Sequence, residues 1–165
     1  MKVIVIIPAR YSSTRYEGKP LSPIHGKSMI QRVYECAKLS EIVADVTVAT
    51  DDQRIYDAVL EFGGQAVMTG ADNRTGTDRV AEAAARIGLD PDDIVVNIQG
   101  DQPCVVPQHL NDVVSPFMNE AGVEISTLAF KIVNKDEITD PRHCKVTIDN
   151  QGYALYFSRS PIPCA

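Results

Sequence analysis

Residues 2–7 form a β-branched run, Val3-Ile4-Val5-Ile6-Ile7, with no polar alternation. That pattern predicts a strand buried on both faces of a parallel sheet. A polar loop from Pro8 to about Lys27 follows, rich in Arg, Ser, Gly and Pro. Helical spacing then sets in, with Met29, Ile30, Val33, Cys36, Ala37 and Leu39 sharing a face. Asp45–Thr50 reads as a second strand. Asp51-Asp52 opens a helix carrying Ile55, Ala58, Val59 and Phe62, and Gly63-Gly64 stops it. Ala66–Met68 is a short third strand.

The alternation continues down the chain. Thr75-Gly76 opens a helix through Val80, Ala83, Ala84 and Ile87, stopped by Gly88. Asp93–Gln99 is a fourth strand, and Pro107 to about Met118 a further helix. Strands are expected over Ile125–Ile132, Lys145–Ile148 and Tyr153–Ser158, the last after an Asn150-Gln151-Gly152 turn. Strands alternating with helices predict an α/β fold with a doubly wound, mainly parallel sheet. The closely spaced late strands add antiparallel pairing and make the sheet mixed. No repeat or interdomain linker interrupts residues 1–165, so a single domain is expected, although the chain stops just after a strand.

Composition narrows the function classes. The 165 residues carry a net charge of −6, which disfavours a nucleic-acid or anionic-membrane surface but permits a local basic patch. The apolar run after Met1 leads into Pro8-Ala9-Arg10 rather than a cleavage site, and no run reaches membrane-spanning length. A soluble, cytoplasmic protein without membrane insertion is expected. Cys36, Cys104, Cys144 and Cys164 lack paired metal-ligand spacing, and His143 beside Cys144 has no second ligand pair; reduced thiols are the simpler reading.

The chemistry concentrates where strands one and four end. Ligands of open α/β sheets sit beyond the carboxyl ends of strands. The first loop places Arg10, Arg15 and Lys19 there, with Ser12, Ser13 and Thr14 between them. Arg clamps phosphate oxygens in bidentate fashion, and Lys supplies a mobile charge. A solvated basic loop is the alternative. Neither the P-loop nor the Rossmann glycine pattern is present. Past strand four, Gln99-Gly100-Asp101 sets a carboxylate over the same edge, suited to Mg²⁺ shared with phosphate oxygens and water; a turn aspartate capping local amides is the alternative. Asp72, Arg74, Thr75 and Gly76 lie where exposed amides at a helix start meet a base or phosphate. Simple capping by Thr75 or Thr77, with Asp78 in the first turn, accounts for them equally well.

Taken in order, IIPARYSSTR followed by GKPL, then VATDD, ADNRTGTDR, VNIQGDQP and GYALYFSRSPIP, resemble the 3-deoxy-manno-octulosonate (Kdo) cytidylyltransferases across essentially the whole chain. The resemblance implies the nucleotide-diphospho-sugar transferase type of α/β fold. The implied reaction is transfer of CMP from CTP to Kdo, with Mg²⁺ as cofactor, CTP and Kdo as substrates, and a homodimer. It implies Arg10, Ser13, Arg15 and Lys19 as triphosphate ligands, and Asp72, Arg74, Thr75 and Gly76 as the nucleotide-contacting stretch. It further implies Asp101 as metal ligand, Arg10, Lys19 and Asp101 as the catalytic set, and Gln99 and Arg159 as sugar contacts. Gln102 departs from the family, where many relatives carry Glu. The family also continues beyond this C-terminus, with a second metal-binding Asp and further sugar contacts. Without those, Asp101 stands alone unless an acid such as Asp78 is recruited. A CTP-binding chain without turnover, and a cytidylyltransferase for amino-Kdo, are therefore the competing expectations.

Overall fold

The computed structural model describes residues 1–12 and 16–163. It divides into two compact units, Met1–Ser126 and a smaller one from Thr127 onward.

The first unit is built on β1 (Val3–Ala9), buried at every position. After it come a 3₁₀ turn (Lys19–Leu21) and the short antiparallel pair β2 (Pro23–Ile24) and β3 (Lys27–Ser28), all within the span read as loop. The main elements are α1 (Met29–Lys38), β4 (Asp45–Thr50), α2 (Gln53–Glu61), β5 (Gln65–Met68), α3 (Gly76–Ile87), β6 (Ile94–Asn97) and α4 (Pro107–Asn119). The large sheet is parallel throughout, in the order β5-β4-β1-β6.

Strand alternation splits the core into two layers. Val3, Val5, Ile7 and Ala9 of β1 pack with Ile30 and Val33 of α1, Ile55 and Val59 of α2, and Leu110 and Val114 of α4. Ile4 and Ile6 point the other way, onto Val80 and Ala83 of α3. Each fully buried Val or Ile contributes about 1.5–3 kcal/mol, so β1 anchors both layers. The helix starts are fixed by side chains: Ser28 accepts from Gln31 N at 3.3 Å, and Asp52 accepts from Arg54 N at 3.0 Å. Gly88, at φ 69°, ends α3 in the left-handed conformation that glycine adopts without steric cost.

The second unit holds α5 (Asp136–Thr139) and an antiparallel hairpin of β7 (Lys145–Ile148) and β8 (Ala154–Ser158). Antiparallel pairing therefore occurs only in separate two-stranded ladders among the described residues, and the large sheet is not mixed as expected. Asp149 closes the hairpin turn, its Oδ1 accepting from Gln151 N and Tyr153 N, each at 2.9 Å. The strand expected over Ile125–Ile132 does not form. That segment has the side-chain pattern of a strand but lies in no ladder, and backbone pairing, not propensity, makes a strand.

Candidate active site

Strands β4 and β5 run to one side of β1 and β6 lies on the other, so the strand order reverses between β1 and β6. At such a switch point the two carboxyl ends open a crevice. A cavity of about 460 Å³ occupies it. Pro8, Ala9, Arg10 and Ser12 line it from the end of β1, and Lys19 and Pro20 from the 3₁₀ turn. Arg74 and Gly76 enter at the start of α3, and Gln99, Gly100 and Asp101 just past β6. Sequence-predicted residues from four separate segments thus converge on one space.

The loop after β1 is closed at its base. Gly18 N donates to Tyr11 O at 2.9 Å, and the Arg54 guanidinium lies 3.3 Å from the Tyr11 ring centroid. Arg54 is in turn gripped by Asp52, at 2.9 and 2.7 Å, which holds the Asp52 carboxyl below its ordinary range. Arg10 donates to the carbonyl of Asn73 and, at 3.4 Å, to that of Thr75. Those two carbonyls aim the guanidinium from the α3 side. Ser13 and Arg15, expected as phosphate ligands, lie outside the described residues.

Lys19 Nζ sits 2.7 Å from Asp101 Oδ2, with both side chains substantially exposed. A pair of that kind contributes about 0–1 kcal/mol, so either group is readily given up to a ligand. Behind them, a Cβ on Gly100 would lie 3.0 Å from the Pro8 carbonyl oxygen. The turn after β6 approaches the end of β1 that closely because position 100 has no side chain. Gln99 donates to Asn97 Oδ1 at 3.0 Å and lies beside Gly76.

Other expected residues take different places. Asp72 is exposed and does not line the cavity. Thr75 caps α3: its Oγ1 accepts from Asp78 N at 3.1 Å, while Asp78 Oδ2 accepts from Thr75 N at 2.9 Å. That reciprocal cap engages one oxygen of the Asp78 carboxylate at the start of α3, and Asp78 does not line the cavity. Among the described residues Asp101 is the one acid lining the cavity, and no cluster of three or more His, Cys, Asp or Glu forms. A single hard carboxylate opening onto space for phosphate oxygens and water is a donor set that fits Mg²⁺, with Asp101 as the residue to hold it. Arg159 belongs to the second unit, where Nη1 donates to Pro141 O at 3.0 Å and Arg142 O at 3.3 Å.

Two structural supports near the cavity could not be read from the sequence. Arg79 of α3 is fully buried, with Nη2 2.9 Å from Asp51 Oδ2 and Nη1 2.5 Å from Thr69 Oγ1. It ties the start of α3 to the carboxyl ends of β4 and β5. Glu82 gathers the loop between β5 and α3, and its spacing to Arg86 was the available signal.

A model of the family described as cytidylyltransferase matches residues 4–165. The 3-deoxy-manno-octulosonate cytidylyltransferase of Desulfosudis oleivorans is 55% identical over the whole chain, which spans 66% of that relative's length. The 8-amino-3,8-dideoxy-manno-octulosonate cytidylyltransferase of Shewanella baltica is 53% identical, over 99% of this chain and 67% of its own. Among solved structures, CMP:2-keto-3-deoxy-manno-octonic acid synthetase complexed with CTP superposes with a TM-score of 0.93 at 43% identity, covering 99% of this chain and 66% of that one. The more distant 4-diphosphocytidyl-2C-methyl-D-erythritol synthase, at 19% identity and a TM-score of 0.57, shares the fold over 73% of this chain and 56% of its own.

Proposed function

The chain belongs to the cytidylyltransferase family, and from that premise we propose that its cavity binds CTP for transfer of CMP to the anomeric hydroxyl of Kdo. The observation that carries the reading is the convergence of Arg10, Lys19 and Asp101 on the switch-point cavity. Arg10, already aimed by two carbonyls, clamps non-bridging phosphate oxygens. Lys19 leaves Asp101 for the phosphate chain and stabilises the charge that grows on departing pyrophosphate. Ser13 and Arg15 supply further triphosphate contacts, while Arg74, Thr75 and Gly76, with Asp72 beside them, face the nucleoside end. Asp101 would hold Mg²⁺, which neutralises charge on the transferring phosphoryl group when bound. Gln99 and Arg159 serve the sugar.

The balance of the reaction is simple. The sugar's anomeric oxygen forms a bond to the α-phosphorus as its proton passes to solvent water. The bond from that phosphorus to the β-phosphate oxygen breaks, and pyrophosphate leaves with the electron pair. The reading places the reaction in a bacterial cytoplasm, in a homodimeric protein that supplies activated Kdo for lipopolysaccharide. Neither nucleic acid nor membrane insertion takes part.

A second reading is CTP binding without turnover. It is favoured by the single carboxylate lining the cavity among the described residues. An amino-Kdo acceptor also stays in play, because relatives with either name stand at nearly equal identity, 55% and 53%.

The test is calorimetric titration of CTP with Mg²⁺ into the chain and into Asp101→Asn, followed by a pyrophosphate assay with Kdo and with 8-amino-Kdo. Binding that weakens about tenfold or more in Asp101→Asn, with Kdo-dependent release, supports the transferase. Binding without release by either sugar supports the second reading. A folded chain that ignores CTP overturns both.

A further inference from the structure

Glu82 lines no part of the cavity, yet four donors meet at its carboxylate. Gly70 N lies 2.9 and 3.0 Å from its two oxygens, and Asn73 Nδ2 lies 2.5 Å from Oε2. Arg86, one turn along α3, adds Nε at 2.8 Å and Nη2 at 2.7 Å. Asn73 Nδ2 also donates to Gly70 O at 2.9 Å, so the 70–73 loop is cross-tied to itself and to the helix. The backbone carbonyl of this same Asn73 accepts from Arg10. The cap between Thr75 and Asp78 fixes the loop's far end and with it the second acceptor of Arg10.

We infer that Glu82 is a positioning residue for nucleotide binding, setting the Arg10 guanidinium through the Asn73 carbonyl. The inference rests on the reading of Arg10 as a phosphate ligand. The chemistry suits the task. A carboxylate is acceptor-only, and a loop backbone N–H, an amide NH₂ and a guanidinium fork are all donors. The Asn73 hydrogen bond first, then that from Gly70, holds the Glu82 carboxyl below its ordinary range, so it stays ionised at neutral pH. Binding of a polyphosphate needs Arg10 in one orientation, and a guanidinium whose acceptors wander loses part of its pre-organisation.

The experiment is a double-mutant cycle on CTP affinity, using wild type, Glu82→Gln, Arg10→Ala and the double variant. Glu82→Gln keeps the size of the side chain but turns an NH₂ toward donors, so the grip weakens without a cavity. We expect Glu82→Gln to raise the Kd for CTP about fivefold in the Arg10 background and less than about twofold in the Arg10→Ala background. An equal factor in both backgrounds, or no change in either, overturns the inference.

A second readout uses the ligand-free chain. Nuclear magnetic resonance of ¹⁵N-arginine side chains is expected to show hindered guanidinium rotation at Arg10 in wild type and free rotation in Glu82→Gln. An unchanged Arg10 signal also overturns the inference, whether or not CTP binds. Failure of the functional reading looks different: Arg10→Ala itself then leaves CTP affinity unaltered.

Discussion

In the first unit β1 is buried at all of its positions, whereas in the second β8 is exposed at four of its five. Both strands read clearly from their side chains. What separates them is what lies on their faces. β1 has α1, α2 and α4 on one side and α3 on the other. In β8, Leu155, Tyr156 and Phe157 are each more than half exposed, and Lys145 is the sole buried residue among the described residues from 127 onward. An isolated two-stranded hairpin is marginally stable in water. A strand pattern therefore specifies backbone pairing, and stability depends on the layers that cover it.

The sharpest test of that contrast deletes one apolar side chain from each region. Ile7→Ala removes a fully buried β1 side chain and is expected to cost about 2–5 kcal/mol in a denaturant melt. Leu155→Ala is expected to change the same melt by less than about 0.5 kcal/mol. Comparable losses at the two positions would mean that β8 is covered in solution, and the contrast would collapse.

Among the described residues each unit also buries one cation, by different means. Arg79 meets the Asp51 carboxylate and the Thr69 hydroxyl. Lys145 Nζ donates instead to three carbonyls: Asp140 O at 2.9 Å, His143 O at 2.8 Å and Arg159 O at 2.5 Å. Arg79→Met strands Asp51 and is expected to cost about 3 kcal/mol, the lower end for a broken buried pair because Asp51 keeps some contact with water. Lys145→Met is expected to leave the global melt nearly unchanged while speeding amide exchange at Val146 and Thr147. A cooperative loss of the whole fold in Lys145→Met would show that the second unit supports the first.

These contrasts explain what could be read in advance. β4, β7 and α3 appear where predicted because alternation, a capping pair at Thr75 and Asp78, and a stop at Gly88 are local signals. The placing of Lys19 and Asp101 over one edge was legible too, since both follow the carboxyl ends of predicted parallel strands, although their ion pair was not. Residues 125–132 misled because side chains report propensity, while a ladder needs a neighbour. Arg79 and Glu82 were hidden for a related reason. A charge on a helix reads as solvent-facing until tertiary structure brings Asp51, or the Gly70 amide, against it. Asp78 was ambiguous between cap and acid, and the structure uses it as the cap.

Glycines offer a smaller and more local test. Gly100→Ala sets a Cβ 3.0 Å from the Pro8 carbonyl oxygen, in a place where backbone must move. We expect a loss of about 1–3 kcal/mol and weaker CTP binding, because the displaced segments lead directly into Arg10 and Asp101. Gly152→Ala meets nothing within 4 Å, and its cost comes from a φ of 93°. A penalty of about 1–2 kcal/mol is expected there, confined to the hairpin and without effect on CTP. Equal effects on CTP affinity would join the two units functionally.

The smallest effect is a titration in the second unit. Asp140 accepts from Arg142 Nε at 2.9 Å and Nη2 at 2.6 Å, and from the Arg142 amide at 2.8 Å. The Arg142 side chain first, then its amide, depresses the Asp140 carboxyl to about 2. A group depressed in the folded state adds stability that is complete above its ordinary value and is lost as pH falls through the folded one. The Asp140–Arg142 turn is therefore expected to hold from neutral pH into the ordinary carboxylate range, then loosen as pH approaches about 2. The carboxyl carbon shift of Asp140 reads this directly. Arg142→Ala is expected to return the midpoint toward the ordinary aspartate value and leave the β1 amides unmoved. A wild-type midpoint already at that ordinary value would mean that the pairing does not persist in water. The described residues of the second unit would then lack a fixed ion pair at this exposed turn as well as a buried apolar side chain, and the difference between the two units would widen.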